Sequence, residues 1–226
     1  MCDYRAAFAI QTQGNVKSPN GDASNEIPGP LTVVLDSCVL YPAPLRDLLM
    51  QLALSGLLRP RWSERIHQEW MSNLLKNRPD LTQAQLERTR DLMNAHITEC
   101  TVSGYEQILP RIKLPDDNDR HVLAVAIFSG ADAIVTFNLR DFPRGTLQGF
   151  GIKAIHPDRY LSQLLDLKPE EFCRAVRRQR DALKNPPKTI DELLEILERQ
   201  ILPETVKKLR KRPELLYLDG VKRQRY

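Results

Sequence analysis

Carboxylate and amide side chains crowd into one stretch of the sequence, residues 114–142. Asp116 and Asp119 come where a helix is expected to begin, and Asn138 and Asp141 follow directly after a short β-branched strand. In an α/β sheet, a helix start and the carboxyl end of a strand can face one another at the same edge of the sheet. This arrangement is typical of a site that does chemistry rather than of a scaffold.

Asp119 stands at the head of the apolar face of the predicted helix. Apolar residues follow it at i+3, i+4 and i+7, so its carboxylate lies on the side of the core-facing stripe. Asp is also favoured at helix N-termini, where the helix dipole stabilises its charge. Capping is the better interpretation of Asp116 and Asp117, whereas its position favours a functional role for Asp119.

Two further acids occupy places where a carboxylate can serve a site. Asp36 follows a buried-type strand, residues 31–35, and so comes at the carboxyl edge of a parallel sheet, although it also fits a cap of the next helix. Glu69 flanks the inner face of a later helix, beside Trp70. A lone helical Glu is more often solvated, so the sequence pattern alone leaves both interpretations of Glu69 open.

No other catalytic motif competes with these acids. The sequence has no Gly-rich phosphate loop, no G-x-S-x-G elbow and no H-E-x-x-H helix. The candidates that remain are Asp36, Glu69, Asp119 and Asp141. Oxygen ligands without His or Cys suit Mg²⁺ or Mn²⁺, which keep several waters and bind phosphate oxygens. Without a metal these carboxylates would repel and raise one another's pKa values, so we predict a Mg²⁺ or Mn²⁺ site that acts on a phosphodiester.

The elements that must position these residues alternate between strands and helices. Their order predicts an α/β fold, a three-layer α/β/α arrangement around a mostly parallel sheet, followed by a small all-α region. Apolar strands are predicted at residues 31–35, 99–103, 133–136 and 152–155. We divide the chain into a disordered tail (1–30), a nuclease domain (31–167) and a basic helical C-terminal region (168–226).

The C-terminal region differs in charge from the rest of the chain. Residues 168–226 hold 16 Lys and Arg against 10 Asp and Glu, a net charge of +6, and residues 1–167 hold 17 against 19, a net charge of −2. Such a region can attract an anion. The candidate residues for binding the backbone of a phosphodiester substrate are Arg174, Arg177, Arg178, Lys207, Lys208, Arg210 and Lys211.

The same region has an apolar stripe that allows two other interpretations. The stripe can dock a partner helix, or the region can pack back on the core of the chain. The stripe consists of Leu193, Leu194, Ile196, Leu197 and Ile201.

Four sequence features in a fixed order resemble the PIN-domain ribonucleases, in particular the VapC-like toxins and their relatives. They are VVLDSCVLYP, the helical Glu69, DRHVLAVA and IVTFNLRDF, and the resemblance covers residues 31–167. It implies a PIN-like fold in which the four acids bind Mg²⁺ or Mn²⁺. It also implies that Ser37, Thr136 and Asn138 shape the site, and we add Asp116 to this surrounding set.

The resemblance also implies an activity, an endoribonuclease that leaves a 5′-phosphate and a 3′-hydroxyl, and a role as the toxin of a toxin–antitoxin pair. RNA and an antitoxin are the expected partners, and a homodimer is an open alternative. No apolar run approaches the ~20 residues of a membrane span, and the N-terminus lacks the pattern of a signal peptide, so the cytoplasm is expected. The alternative function is a partner-regulated module that binds nucleic acid or an antitoxin with little intrinsic cleavage, because the minimal toxin lacks the C-terminal helices.

Overall fold

A parallel four-stranded sheet forms the centre of the molecule. The computed structural model describes residues 30–217, so all of the tail predicted at 1–30 except Pro30 lies outside the described residues. The strands are β1 (Thr32–Leu35), β2 (Arg59–Arg61), β3 (Ala133–Val135) and β4 (Lys153–Ile155). They lie in the order β2–β1–β3–β4, and each neighbouring pair is parallel. The predicted parallel α/β fold is confirmed, and every strand ends at the same edge of the sheet.

Helices flank the sheet and continue into the C-terminal region. The helices of the described chain are α1 (Ser37–Leu40), α2 (Ala43–Leu54), α3 (Glu64–Asn77), α4 (Gln83–His96), α5 (Arg120–Phe128), α6 (Arg144–Gln148), α7 (Pro157–Leu167), α8 (Pro169–Ala182), α9 (Ile190–Glu198), α10 (Pro203–Arg210) and α11 (Pro213–Leu216). Three 3₁₀ turns lie between them, at Tyr105–Arg111, Asp117–Asp119 and Leu139–Asp141. None of the helices between residues 30 and 217 is long and apolar enough to cross a membrane.

Two strand assignments differ from the prediction. The predicted strand at 99–103 is wrong, because only Thr101 forms a single parallel bridge, to Trp62. Glu99 has a left-handed backbone with φ of 58°, which ends extended structure there. The strand β2 escaped prediction because its sequence, Arg-Pro-Arg, has no apolar run; its proline is tolerated since β2 is at the edge of the sheet.

The C-terminal helices pack against the chain itself. Leu193, Leu194 and Leu197 of α9 are at most 1% exposed. Gln179 of α8 donates from Nε2 to the carbonyl of Pro44 in α2 at 2.8 Å. Of the two interpretations of the stripe, packing back on the core is therefore confirmed for its three leucines, and docking of a partner through them is wrong.

A buried carboxylate joins the C-terminal region to α7. Asp158, which is 6% exposed, accepts hydrogen bonds at the first turn of α10 from the backbone N–H of Glu204 at 3.0 Å and of Thr205 at 2.8 Å. The Thr205 hydroxyl donates a third bond to it at 2.7 Å. Because α10 has no capping side chain of its own, Asp158 supplies the cap from a neighbouring helix.

A second buried polar network lies between α3 and α4. His67 is fully buried; its Nδ1 accepts from Trp70 Nε1 at 3.0 Å and its Nε2 lies 3.2 Å from Asn94 Oδ1. Asn94 Oδ1 also accepts from Trp62 Nε1 at 2.8 Å. Burial lowers the pKa of His67 to about 4, because the surrounding core solvates the charged imidazolium poorly, and the charges of Arg90 and Arg46 add to this effect.

This network makes the stability of the fold fall in mild acid. The unfolded chain protonates His67 near pH 6.5 and the folded chain only near pH 4, so the free energy of unfolding decreases as pH falls through that window. Between pH 7 and pH 5 we expect this one group to remove about 2 kcal/mol. Urea titrations of wild type and His67→Gln across this range check it, since Gln keeps a donor and an acceptor without titrating. Equal losses in the two proteins would contradict the prediction.

Candidate active site

Asp36 is the most buried acid of the predicted set, 3% exposed, and it directly follows β1. Its Oδ1 accepts from the backbone N–H of Ser37 at 2.6 Å, which caps α1. Its Oδ2 accepts from Thr136 Oγ1 at 2.6 Å and from Cys38 Sγ at 3.2 Å. Capping and placement at the sheet edge are therefore combined in one side chain, because each oxygen faces a different set of donors.

The sheet register brings Thr136 to Asp36. Leu35 of β1 is opposite Val135 of β3, so the next residue of each strand meets its counterpart at the carboxyl edge. Thr136 is fully buried, and its Oγ1 also accepts from the backbone N–H of Asn138 at 3.0 Å. Thr136 thus fixes the orientation of Asp36 and the start of the following turn together, while Asn138 stays exposed.

The three carboxylates of the acidic turn before α5 make different contacts. Asp116 caps the 3₁₀ turn by accepting from the backbone N–H of Asn118 at 2.8 Å. Asp117 forms an ion pair with Arg120 at 3.3 Å. Asp119 is half-buried and makes no capping hydrogen bond, although it directly precedes α5. Its carboxylate is therefore not used for capping and can face the carboxyl edge of the sheet.

Glu69 reaches the same region from α3. Its Oε1 lies 2.7 Å from Nε2 of the fully buried His121 side chain and 3.4 Å from Arg65 Nε. Burial acts to raise the pKa of Glu69, but His121 and Arg65 outweigh that effect and hold its pKa below the ordinary value. Glu69 is therefore ionised at neutral pH, and both of these neighbours contact the same oxygen, Oε1.

The predicted acids converge on Asp119. Burial, together with the negative charges of Asp36, Asp141, Asp116 and Glu69, raises the pKa of Asp119 to about 7. These five carboxylates come from four separate parts of the sequence, and the fold places the other four within electrostatic range of Asp119. Such repulsion costs free energy in a folded protein unless a cation offsets it.

The donor set suits a hard divalent cation. Every acid of the cluster offers carboxylate oxygen, and Asp141 is half-buried in the turn after β3. Across residues 30–217, no three Asp, Glu, His or Cys side chains are close enough to hold an ion unaided. The fit to a divalent cation therefore rests on the chemistry of the donors, because carboxylate oxygens are the ligands that Mg²⁺ prefers.

Six of the seven candidate RNA-binding residues lie on α8 and α10, and Lys211 directly follows α10; three of the seven bind groups of neighbouring elements. Arg177 donates to the carbonyl of Leu215, Arg178 donates to the carbonyl of Gln51 at 3.4 Å, and Lys208 pairs with Asp166. Two others form surface ion pairs, Lys207 with Glu204 at 3.7 Å and Arg210 with Glu198 at 3.4 Å. Arg174 and Lys211 are exposed.

Sequence reasoning missed His121. It is one of four dispersed histidines, and no motif distinguishes it. The structure places it against Glu69, and neither ring nitrogen has a well-directed hydrogen bond to another group within residues 30–217. The signal that was available is its position, because it is the only imidazole in the otherwise apolar and fully buried run 121–126.

Family comparisons agree with this architecture. Residues 32–140 match the PIN domain, and residues 157–211 match the VapC50 C-terminal domain. The second match begins at α7, the helix that Asp158 ties to α10. The chain is therefore similar to the PIN-domain family, in a VapC-like form that carries a C-terminal extension.

One relative can be compared in detail. A Mycobacterium tuberculosis protein named "Putative ribonuclease VapC50" is 42% identical to the chain over 105 residues. The aligned part is 46% of this chain and 62% of the relative, so the match spans about three fifths of the relative's length. No solved structure matches the chain.

Proposed function

We propose that this protein is a metal-dependent endoribonuclease and the toxin of a toxin–antitoxin pair. The observation that carries the proposal is the convergence of carboxylates that raises the pKa of Asp119 to about 7. A cluster of like charges at the carboxyl edge of a parallel sheet needs a countercharge, and a divalent cation supplies one. The PIN-domain match and a relative named as a ribonuclease support RNA as the substrate.

Asp36, Asp119 and Asp141 would hold Mg²⁺ or Mn²⁺. When bound, such an ion supplies positive charge to the scissile phosphate and lowers the pKa of a water. Thr136 and the backbone N–H of Ser37 hold Asp36 in one orientation, so no rotamer search precedes binding. Asn138 anchors the turn that carries Asp141 through its own backbone N–H.

Glu69 would orient the attacking water. Its two close contacts, with His121 and Arg65, both involve Oε1. Oε2 is then the oxygen available to accept a hydrogen bond from the water. Attack by the water oxygen on phosphorus, with cleavage of the bond to the 3′-oxygen, leaves a 5′-phosphate and a 3′-hydroxyl, as the family resemblance implies.

The proposed partners are RNA and an antitoxin, and the proposed location is the cytoplasm. Arg174 and Lys211 are exposed and would add long-range attraction for RNA. Regulation by an antitoxin follows from the VapC-like family, and the cytoplasm suits the free thiols of Cys38, Cys100 and Cys173. The alternative, a partner-binding module with little cleavage, has less support, since the leucines that would dock a partner are buried.

The direct test is cleavage of an end-labelled structured RNA by the full chain with Mg²⁺, with Mn²⁺ or with EDTA. We expect cleavage with either metal and none with EDTA, with phosphate on the 5′ end of the downstream product. Cleavage that persists in EDTA, or a folded chain that cuts none of several RNAs with either metal, would overturn the proposal.

His121 is expected to act as a positioning residue through Glu69. His121→Leu fills the buried space but removes the nitrogen next to Glu69 Oε1, so kcat should fall about 10- to 100-fold while KM stays near the wild-type value. His121→Gln keeps an N–H donor and should recover part of kcat. Steady-state kinetics, with thermal melts to verify folding, check this. An equal loss in both variants, or a loss confined to KM, would rule out the positioning role.

A further inference from the structure

A polar groove runs along the exposed face of α3. Its volume is about 350 Å³, and its lining has no apolar side chain. The six residues are spaced as i, i+3, i+4, i+7, i+8 and i+11, which puts them in one stripe on the helix. They are Arg65, Gln68, Glu69, Ser72, Asn73 and Lys76.

The groove is continuous with the acidic centre. Glu69 belongs to both, since it lines the groove and is one of the charges that raise the pKa of Asp119. Arg65 also donates to the carbonyl of Asn118 in the acidic turn, at 3.5 Å. A chain-like ligand whose phosphate sits at the acidic centre would therefore extend into this groove.

The available positive charges favour the α3 groove over the C-terminal helices as the path of an RNA strand. The carboxylates of the centre repel a phosphate backbone, so nearby cations are needed on the approach path. Lys76 is exposed and has no ion-pair partner within residues 30–217, whereas Arg177, Arg178 and Lys208 of the C-terminal helices are held by the chain's own groups. From Arg65 to Lys76 the helix rises about 16 Å, the length of a short run of nucleotides.

We propose that the α3 groove binds the single-stranded RNA that flanks the scissile phosphate. This inference rests on the proposed nuclease function. Lys76 contacts a backbone phosphate, and Arg65, which also pairs with Glu69, lies between Lys76 and the centre. Gln68, Ser72 and Asn73 offer amide and hydroxyl groups to base edges and 2′-hydroxyls, which an unpaired strand exposes and a duplex does not.

The test is fluorescence anisotropy with a labelled single-stranded RNA, on the full chain in EDTA so that no metal-dependent cleavage intervenes. Lys76→Gln should weaken binding about three- to tenfold at low salt and reduce the slope of log affinity against log salt by about 0.7. The matched control is Lys153→Gln, because Lys153 is an exposed lysine at the start of β4, on the opposite edge of the sheet. It should bind as wild type does, and a duplex of the same sequence should bind more weakly than the single strand.

Three outcomes would contradict the proposal that the α3 groove binds single-stranded RNA. They are equal effects of the two lysine substitutions, no effect of Lys76→Gln, and equal binding of duplex and single strand. Cleavage measured in parallel separates this from the nuclease proposal. Metal-dependent cleavage without any effect of Lys76→Gln on binding would contradict the proposed RNA site and support the nuclease function. Weaker RNA binding by Lys76→Gln in a chain that never cleaves RNA would support RNA binding in the groove and contradict the nuclease function.

Discussion

Asp36→Asn should lower metal-dependent RNA cleavage by at least about 100-fold. Side chains that only orient a metal ligand cost about 10- to 100-fold when removed, and Asp36 is proposed as a ligand itself. Asn keeps the size of the side chain and an oxygen for the N–H of Ser37. The Thr136 hydroxyl can rotate to accept from the new amide, since it loses the Oδ2 acceptor. The charge is the main property that changes.

Folding provides an independent readout of the same variant. Asp36 is one of the charges that raise the pKa of Asp119, so its neutralisation relieves repulsion, and the melting temperature should not fall. The matched control is Asp132→Asn, at the start of β3 on the opposite edge of the sheet, where Asp132 accepts from the backbone N–H of Thr32 at 2.8 Å. It removes one charge, keeps the acceptor, and should leave cleavage intact. Cleavage by Asp36→Asn near the wild-type rate would show that Asp36 is not part of the site.

Asp158→Ala should lower the free energy of unfolding by about 3 kcal/mol. The substitution leaves the backbone N–H groups of Glu204 and Thr205 without their acceptor in a place that water hardly reaches, whereas the Thr205 hydroxyl can still donate to the backbone carbonyl of residue 158 at 3.1 Å. Each buried donor left unpaired costs about 1 to 3 kcal/mol. Chemical denaturation followed by circular dichroism measures it.

Asp166→Ala is the control for this loss, because Asp166 is also on α7 and also bridges to the C-terminal helices. It pairs with Lys208 and with Arg212, the latter at 3.3 Å, but its side chain is 48% exposed. Exposed ion pairs contribute about 1 kcal/mol or less. Equal destabilisation by the two alanine substitutions would mean that buried capping by Asp158 is not what joins α7 to α10.

The residues of the centre that could be predicted from the sequence are those that stand directly at the end of a strand or the start of a helix. Asp36 and Thr136 come directly after apolar strands, and parallel pairing brings such positions together whatever lies between them. The capping role of Asp116 was also predicted correctly, and Asp119 makes no capping hydrogen bond, so its role at the centre stays a prediction. In each case a local pattern carries long-range information.

What could not be predicted depends on which surfaces meet. An apolar stripe on α9 shows that a face must be covered, but its leucines say nothing about whether another chain or α9's own neighbours cover it. His121 lies in an apolar run, and only the packing of α5 beside α3 reveals Glu69 as its neighbour. The strand β2 has no pattern of its own, since its backbone pairing with β1 defines it.

The hydrogen bond between Thr136 and Asp36 joins residues 100 positions apart, and this separation determines when, during synthesis, the proposed centre can form. A polypeptide emerging from the ribosome presents Asp36 and Glu69 early, whereas Asp119 and Asp141 come much later and β3 must first pair with β1. Until then two of the four acids exist without the centre that they complete. Under the nuclease proposal, a nascent chain therefore has no complete centre with which to cut the message that encodes it until synthesis has passed Asp141.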